Sequence, residues 1–223
     1  MRWSETAVLV IAIVAFLGWW LWVAANRLDR LHRKVGAARA VVDTQLVRRA
    51  TVAAELATSG LLDPVSSVLV GEAARAALSA GGTDAETSPA LPPELRSLLA
   101  DEAPGPVQRS SLSERIGERG RIETELSQTL REVLDEPDEV AALRCEPGGD
   151  ELLDDLGSSW YRVQLARRFH NEAVAQTLRV RRGPVVRLFR LAGHAPSPRT
   201  LELDDEWPDA LGRPGVRSAD AGS

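Results

Sequence analysis

From Ala7 to Ala25 the chain reads AVLVIAIVAFLGWWLWVAA and carries no charge. As a helix rising 1.5 Å per residue it spans about 28 Å, close to the ~30 Å hydrocarbon core of a bilayer. Trp3 lies at one edge of the run, and Trp19, Trp20 and Trp22 lie at the other. Indole rings favour the headgroup level, so these bands fit an aromatic belt. Two readings compete. A buried core helix this uniformly apolar needs a larger domain around it. A cleaved signal peptide can use Val23-x-Ala25 as its processing site. The run is longer than the usual stretch of about 7–15 apolar residues, however, and three Trp crowd that site. A retained single membrane helix over 7–25, preceded by a short segment over 1–6, fits best.

Flanking charge gives the expected orientation. Arg2 and Glu5 lie before the span; Arg27, Arg30, Arg33, Lys34 and Arg39 follow it. The positive-inside bias places the N-terminus outside the cell membrane and the C-terminal domain in the cytoplasm.

Beyond the span, Leu28, Leu31, Val35, Ala38, Val42, Leu46, Ala50, Ala53 and Leu56 recur at steps of three and four, the spacing of one helical face. The membrane helix therefore continues into the domain, up to Gly60. Asp63-Pro64 restarts a helix, with Asp63 as cap and Pro64 in the first turn. Residues 26–80 read as a helical hairpin that stops at Gly81-Gly82. Residues 81–110 read as a flexible Pro/Gly-rich linker, apart from a short helix over 92–99. Ser113 is the expected cap of a third helix, with Ile116, Ile122, Leu126, Leu130 and Val133 on its inner face. Val140–Leu143 suggests a helical turn. A last long helix runs from near Asp150 to Gly183-Pro184, with Leu153, Leu156, Trp160 and Val163 among its buried residues. Residues 111–192 thus form the second helical part, ending in an amphipathic segment over Val185–Ala192. Residues 193–223 read as a disordered tail. The fold class is all-α: a transmembrane helix continuing into an antiparallel helical bundle.

Three stretches carry a family resemblance. They are Asn26-x-Leu28, then Val42-Asp43-x-Gln45-Leu46-x-Arg48-Arg49, and Ala166-Arg167-Arg168-Phe169-His170-Asn171-Glu172-Ala173-Val174. With their order and distance from the span, they make the chain similar to the LemA family of bacterial membrane-anchored helical proteins. The resemblance covers the span, the first helix and the last helix. His170 stands where the family usually has Tyr, and Thr177 and Leu178 replace its second Tyr-Asn. The resemblance implies a helical bundle on an N-terminal membrane helix, an outward N-terminus and no established enzymatic activity.

The candidate polar residues are Asn26, Asp43, Gln45, Arg49, Arg167 and Asn171. They are expected to pair between helices, because buried polar groups must find partners. The charge pattern adds a second candidate. Between Arg162 and Arg199 there are nine arginines and one acid, Glu172, whereas 81–159 is acidic, in a chain of net charge −5. One reading is mutual neutralisation of the two blocks. Another is contact of Arg179, Arg181, Arg182, Arg187 and Arg190 with anionic lipid, since a basic amphipathic segment suits a membrane surface.

No catalytic or nucleotide-binding motif occurs, and His32, His170 and His194 show no ligand spacing. No cofactor, metal or nucleic-acid partner is expected. The expected function is a non-catalytic membrane scaffold or adaptor. Its expected partners are the lipid bilayer, other membrane or envelope proteins, and a second copy of the chain. A lipid-surface sensor is the alternative reading, and an enzyme with an unrecognised site is a remote third.

Overall fold

A computed structural model describes residues 3–85, 106–189 and 197–212. Among the described residues the protein is all-helical, with six helices, one 3-10 turn and no strand. The helices are α1 (Trp3–Thr58), α2 (Pro64–Ala85), α3 (Pro106–Val133), α4 (Pro137–Cys145), α5 (Gly149–Arg181) and α6 (Pro184–Leu188); the 3-10 turn is Asp209–Leu211. The contacts divide the chain into two units. Unit 1 comprises Met1–Ala37 and Asn171–Thr200; unit 2 comprises Ala38–His170 and Leu201–Ser223. α1 and α5 contribute residues to both.

In unit 1, α1 holds one segment long and apolar enough to cross a membrane, and none of its most apolar stretch is buried within the protein. Its large side chains from Val8 to Val23 are exposed, apart from the half-buried Leu21. A core helix would be covered. Leu28, just past the apolar run, is buried, as are Ala173, Val174 and Thr177 of α5 and Val186 of α6.

Unit 2 holds the core. Ala50, Ala53 and Leu56 of α1 are fully buried, together with Val70 and Ala74 of α2, Leu126 and Leu130 of α3, and Leu153, Leu156 and Trp160 of α5. A second cluster joins Val42 and Leu46 of α1 to Val163 and Ala166 of α5 and to Leu201 and Leu203. The three- and four-residue spacing brings each helix's apolar face to its neighbours. Asp63 caps α2: its Oδ1 accepts from the Val65 and Ser66 backbone N–H groups at 2.9 and 3.2 Å. Hydrogen bonds from Ser66, then Val65, hold its carboxyl below the usual carboxylate range.

Three expectations need correction. α2 does not stop at Gly81-Gly82; it runs to Ala85. A Cβ on Gly81 would sit 3.0 Å from Val47 Cγ2 and 3.6 Å from the Arg119 guanidinium, so this glycine permits a close approach rather than a stop. The linker expected over 81–110 is helical at both ends. α3 begins at Pro106, ahead of Ser113, because proline suits a first helical position. The rest of that linker, including the helix expected over 92–99, lies outside the described residues.

The third correction concerns the tail expected over 193–223. Residues 197–212 are ordered, and Leu201, Leu203 and Leu211 are buried in the core. We call 201–211 the strap. Its apolar residues lack helical spacing, but their burial supplies what a polar tail would lack. Its acids meet arginines: Arg131 Nη2 donates to Asp204 Oδ2 at 2.5 Å, and Arg131 Nη1 donates to Glu206 Oε2 at 2.7 Å. The Glu206 backbone N–H, and then Arg131, hold the Asp204 carboxyl below the usual carboxylate range. Trp207 tilts against Trp160 with ring centroids 6.2 Å apart. Residues 193–196 and 213–223 lie outside the described residues.

The strap passes so close to α3 that a Cβ on Gly120 would lie 2.5 Å from the Glu202 carbonyl oxygen, whereas a Cβ on Gly117 would meet open space. Gly120→Ala is therefore expected to lower stability by about 1–3 kcal/mol through forced displacement. Gly117→Ala should leave stability unchanged or raise it by up to ~1 kcal/mol. Thermal unfolding followed by circular dichroism separates the two; equal melting temperatures would contradict the strap's placement.

Candidate functional site

Two groups of polar residues stand out, one in each unit. In unit 2, Arg49 is fully buried on α1. A guanidinium has five donors and keeps its charge, so burial demands acceptors and an anion. α3 supplies them. Arg49 Nη1 donates to Ser127 Oγ at 2.9 Å, and Arg49 Nη2 donates to Glu123 Oε2 at 2.9 Å and to the Glu123 carbonyl at 3.2 Å. The Ser127 hydroxyl in turn donates to the Glu123 carbonyl at 2.9 Å. The Arg49 guanidinium carbon lies 5.1 Å from the Trp160 ring centroid, within cation–π range. Burial pushes the Arg49 pKa down, and Glu123 opposes it.

The remaining candidates of unit 2 lie around this centre. Asp43 Oδ2 accepts from Arg39 Nε at 3.2 Å, and Asp43 Oδ1 lies 3.7 Å from Arg119 Nη2 of α3. Gln45 is half-buried and Arg48 is exposed. Arg167 grips the strap: its Nε and Nη2 donate to Asp205 Oδ2 and Oδ1 at 2.8 and 2.7 Å. The Asp205 carbonyl accepts from Trp160 Nε1 at 3.1 Å and from Gln164 Nε2 at 2.6 Å. Of the expected pairing residues, Arg49 of α1 bonds to α3 and Arg167 of α5 bonds to the strap.

Sequence reasoning missed Arg119, Glu123, Ser127 and Asp205. The first three recur every four residues beside the apolar face of α3, which was the available signal. Asp205 had none, because it lay in a stretch read as a polar tail.

In unit 1, Asn26 is exposed and Asn171 is half-buried. Arg181 Nη1 lies 3.1 Å from His32 Nε2. Burial, and then Arg181, keep the His32 pKa below its ordinary value against the pull of Asp29. A guanidinium has donors only, so in this contact Nε2 is the acceptor. Arg179, Arg182 and Arg187 are exposed. Among the described residues none of these three forms an ion pair with an acidic side chain. Among the described residues, no acid of the 81–159 block pairs with these three. Within 81–159, Arg144 pairs with Asp150 and Asp154 of the same block, and Arg131 pairs with strap acids. Arg190 lies outside the described residues. Among the described residues no group of three or more His, Cys, Asp or Glu is placed to hold a metal ion.

No family model, curated protein or solved structure matches this chain. The likeness to LemA proteins therefore rests on the three quoted stretches alone.

Removing one partner of a buried ion pair leaves an uncompensated charge. Arg49→Met is expected to cost about 3–5 kcal/mol, and Arg49→Met combined with Glu123→Leu should recover most of that loss. Urea unfolding of the two variants checks this. A double variant as unstable as the single one would show that the pair does not act as a unit.

Proposed function

We propose that this chain is a non-catalytic, membrane-anchored scaffold or adaptor. In this reading the helices form an antiparallel bundle of the LemA type on a single membrane helix. The N-terminus lies outside the cell membrane and the C-terminal domain lies in the cytoplasm. Support for the anchor comes from the unburied apolar segment of α1. Support for the orientation comes from Arg27, Arg30, Arg33 and Lys34 behind it.

One observation carries the scaffold reading. On α5, Tyr161, Leu165 and Phe169 are 51%, 40% and 58% exposed at four-residue spacing, while Trp160, Val163 and Ala166 of the same helix are buried. A single exposed Leu needs no explanation, but an apolar ridge along one helix face fits the docking of a partner helix. The partner chemistry is an amphipathic helix, on another membrane protein or on a second copy of this chain. The polar residues nearest the core are engaged in pairing helices and strap, which is a structural use of those groups.

Photocrosslinking from the α5 ridge in native membranes tests this reading. Leu165→Glu with Phe169→Glu is expected to remove the crosslinked species while leaving thermal unfolding within about 1 kcal/mol of the parent, as for exposed substitutions. An unchanged crosslinking pattern would remove the ridge, and with it the scaffold reading.

A further inference from the structure

We infer that the end of α5 and α6 form a docking surface for anionic lipid headgroups, with Arg179, Arg182 and Arg187 meeting phosphate and Leu188 and Phe189 entering the interface. This rests on the membrane-anchor reading and adds a lipid preference to it.

Placement is the first observation. These residues belong to the same unit as the apolar segment of α1. Arg181 touches His32, at 3.1 Å. His32 lies seven residues past Ala25, the end of the uncharged run, or about 10 Å along a helix axis. Headgroups extend some 5–8 Å beyond the hydrocarbon on each side of a bilayer. The His32–Arg181 contact therefore holds the end of α5 at the edge of the headgroup layer. Long arginine side chains reach the remaining distance.

Exposure is the second observation. Leu188 is 77% exposed and Phe189 is 48% exposed, next to exposed Arg187, while Val186 is buried. Val186 turns inward and leaves the two apolar residues beside it outward. Bulky apolar groups flanked by arginine form the pattern of an interfacial segment. Leu188 and the exposed half of Phe189 have no cover from the protein, and the acyl–headgroup boundary offers it.

Charge selects the lipid. Arg179, Arg182 and Arg187 add to Arg27, Arg30, Arg33 and Lys34 of α1, all within unit 1. Guanidinium forks match phosphate oxygens in pairs. Neutral headgroups carry phosphate too, but they offset it with an ammonium group. A net negative surface attracts each arginine within a Debye length of about 8 Å. The same residues also deepen the positive-inside bias of this end of the span.

The full-length chain, reconstituted into vesicles, tests the inference. An environment-sensitive fluorophore is placed on Leu188→Cys, with Cys145→Ser removing the native thiol; a parallel label on Phe189→Cys guards against a position-specific artefact. Flotation reports anchoring, and the emission maximum reports insertion. In phosphatidylcholine with phosphatidylglycerol both labels should shift to the blue, and in phosphatidylcholine alone they should not. Arg179→Gln, Arg182→Gln and Arg187→Gln together should lower the docked-to-free ratio by about a hundredfold, at a factor of about five per arginine. Raising salt towards 1 M, where the Debye length is about 3 Å, should mimic that loss. Flotation with equal emission on both vesicle types overturns the docking surface and leaves the anchor standing. Failure to float on either type overturns both.

Discussion

The constraint on which the rest depends is the uncovered apolar segment of α1. Twelve large hydrophobic side chains from Val8 to Val23 have no protein over them. At about 1.5–3 kcal/mol for each such side chain removed from water, their transfer to lipid outweighs the whole stability of an ordinary domain, about 5–15 kcal/mol. Water is therefore the wrong solvent for this stretch. In lipid, a single helix satisfies every backbone group by itself. In the anchor reading proposed above, the arginines that follow stand at the headgroups, close to the end of α5 that touches His32.

Unit 2 solves a different problem, the closure of an all-helical core that is poor in aromatic residues. Leu, Ala and Val from five helices fill it, and Trp160 supplies the largest buried side chain. Into this core α1 sends Arg49. A buried ion pair is a weak source of stability, since desolvation offsets attraction. Its value lies in what it forbids. A slide of α1 along α3 would strand the guanidinium away from Glu123 and Ser127, so the pair fixes the register of the two helices. The strap adds a second lock. Arg131 and Arg167 each hold a strap carboxylate, and the Leu residues on either side are buried. α3 and α5 are thereby joined by a segment distant from both in sequence.

The helices were legible in the sequence because their apolar positions repeat at three and four residues, and no core contact is needed to see that. The start of α2 was legible because Asp63-Pro64 carries its own local mechanism. Gly81 was misread because glycine serves both as a helix stop and as a site of close approach, and only the neighbouring Val47 and Arg119 distinguish the two. The strap was hidden for a related reason. Leu201, Leu203 and Leu211 follow no helical period, and the arginines that hold its acids lie 38 and 73 residues away in sequence. Arg49 was visible as a candidate, but its anion was not, because Glu123 lies 74 residues further on among many exposed acids. For the basic end of α5, sequence supplied the charges. Structure supplied the His32 contact and the outward turn of Leu188 and Phe189.

Alkaline carbonate extraction of native membranes holding the full-length chain tests the membrane anchor most directly. The chain should stay in the membrane pellet at its full mass, with the segment Ala7–Ala25 intact. Release of the uncleaved polypeptide into the supernatant, or recovery of a species shortened by removal of that segment, would contradict it.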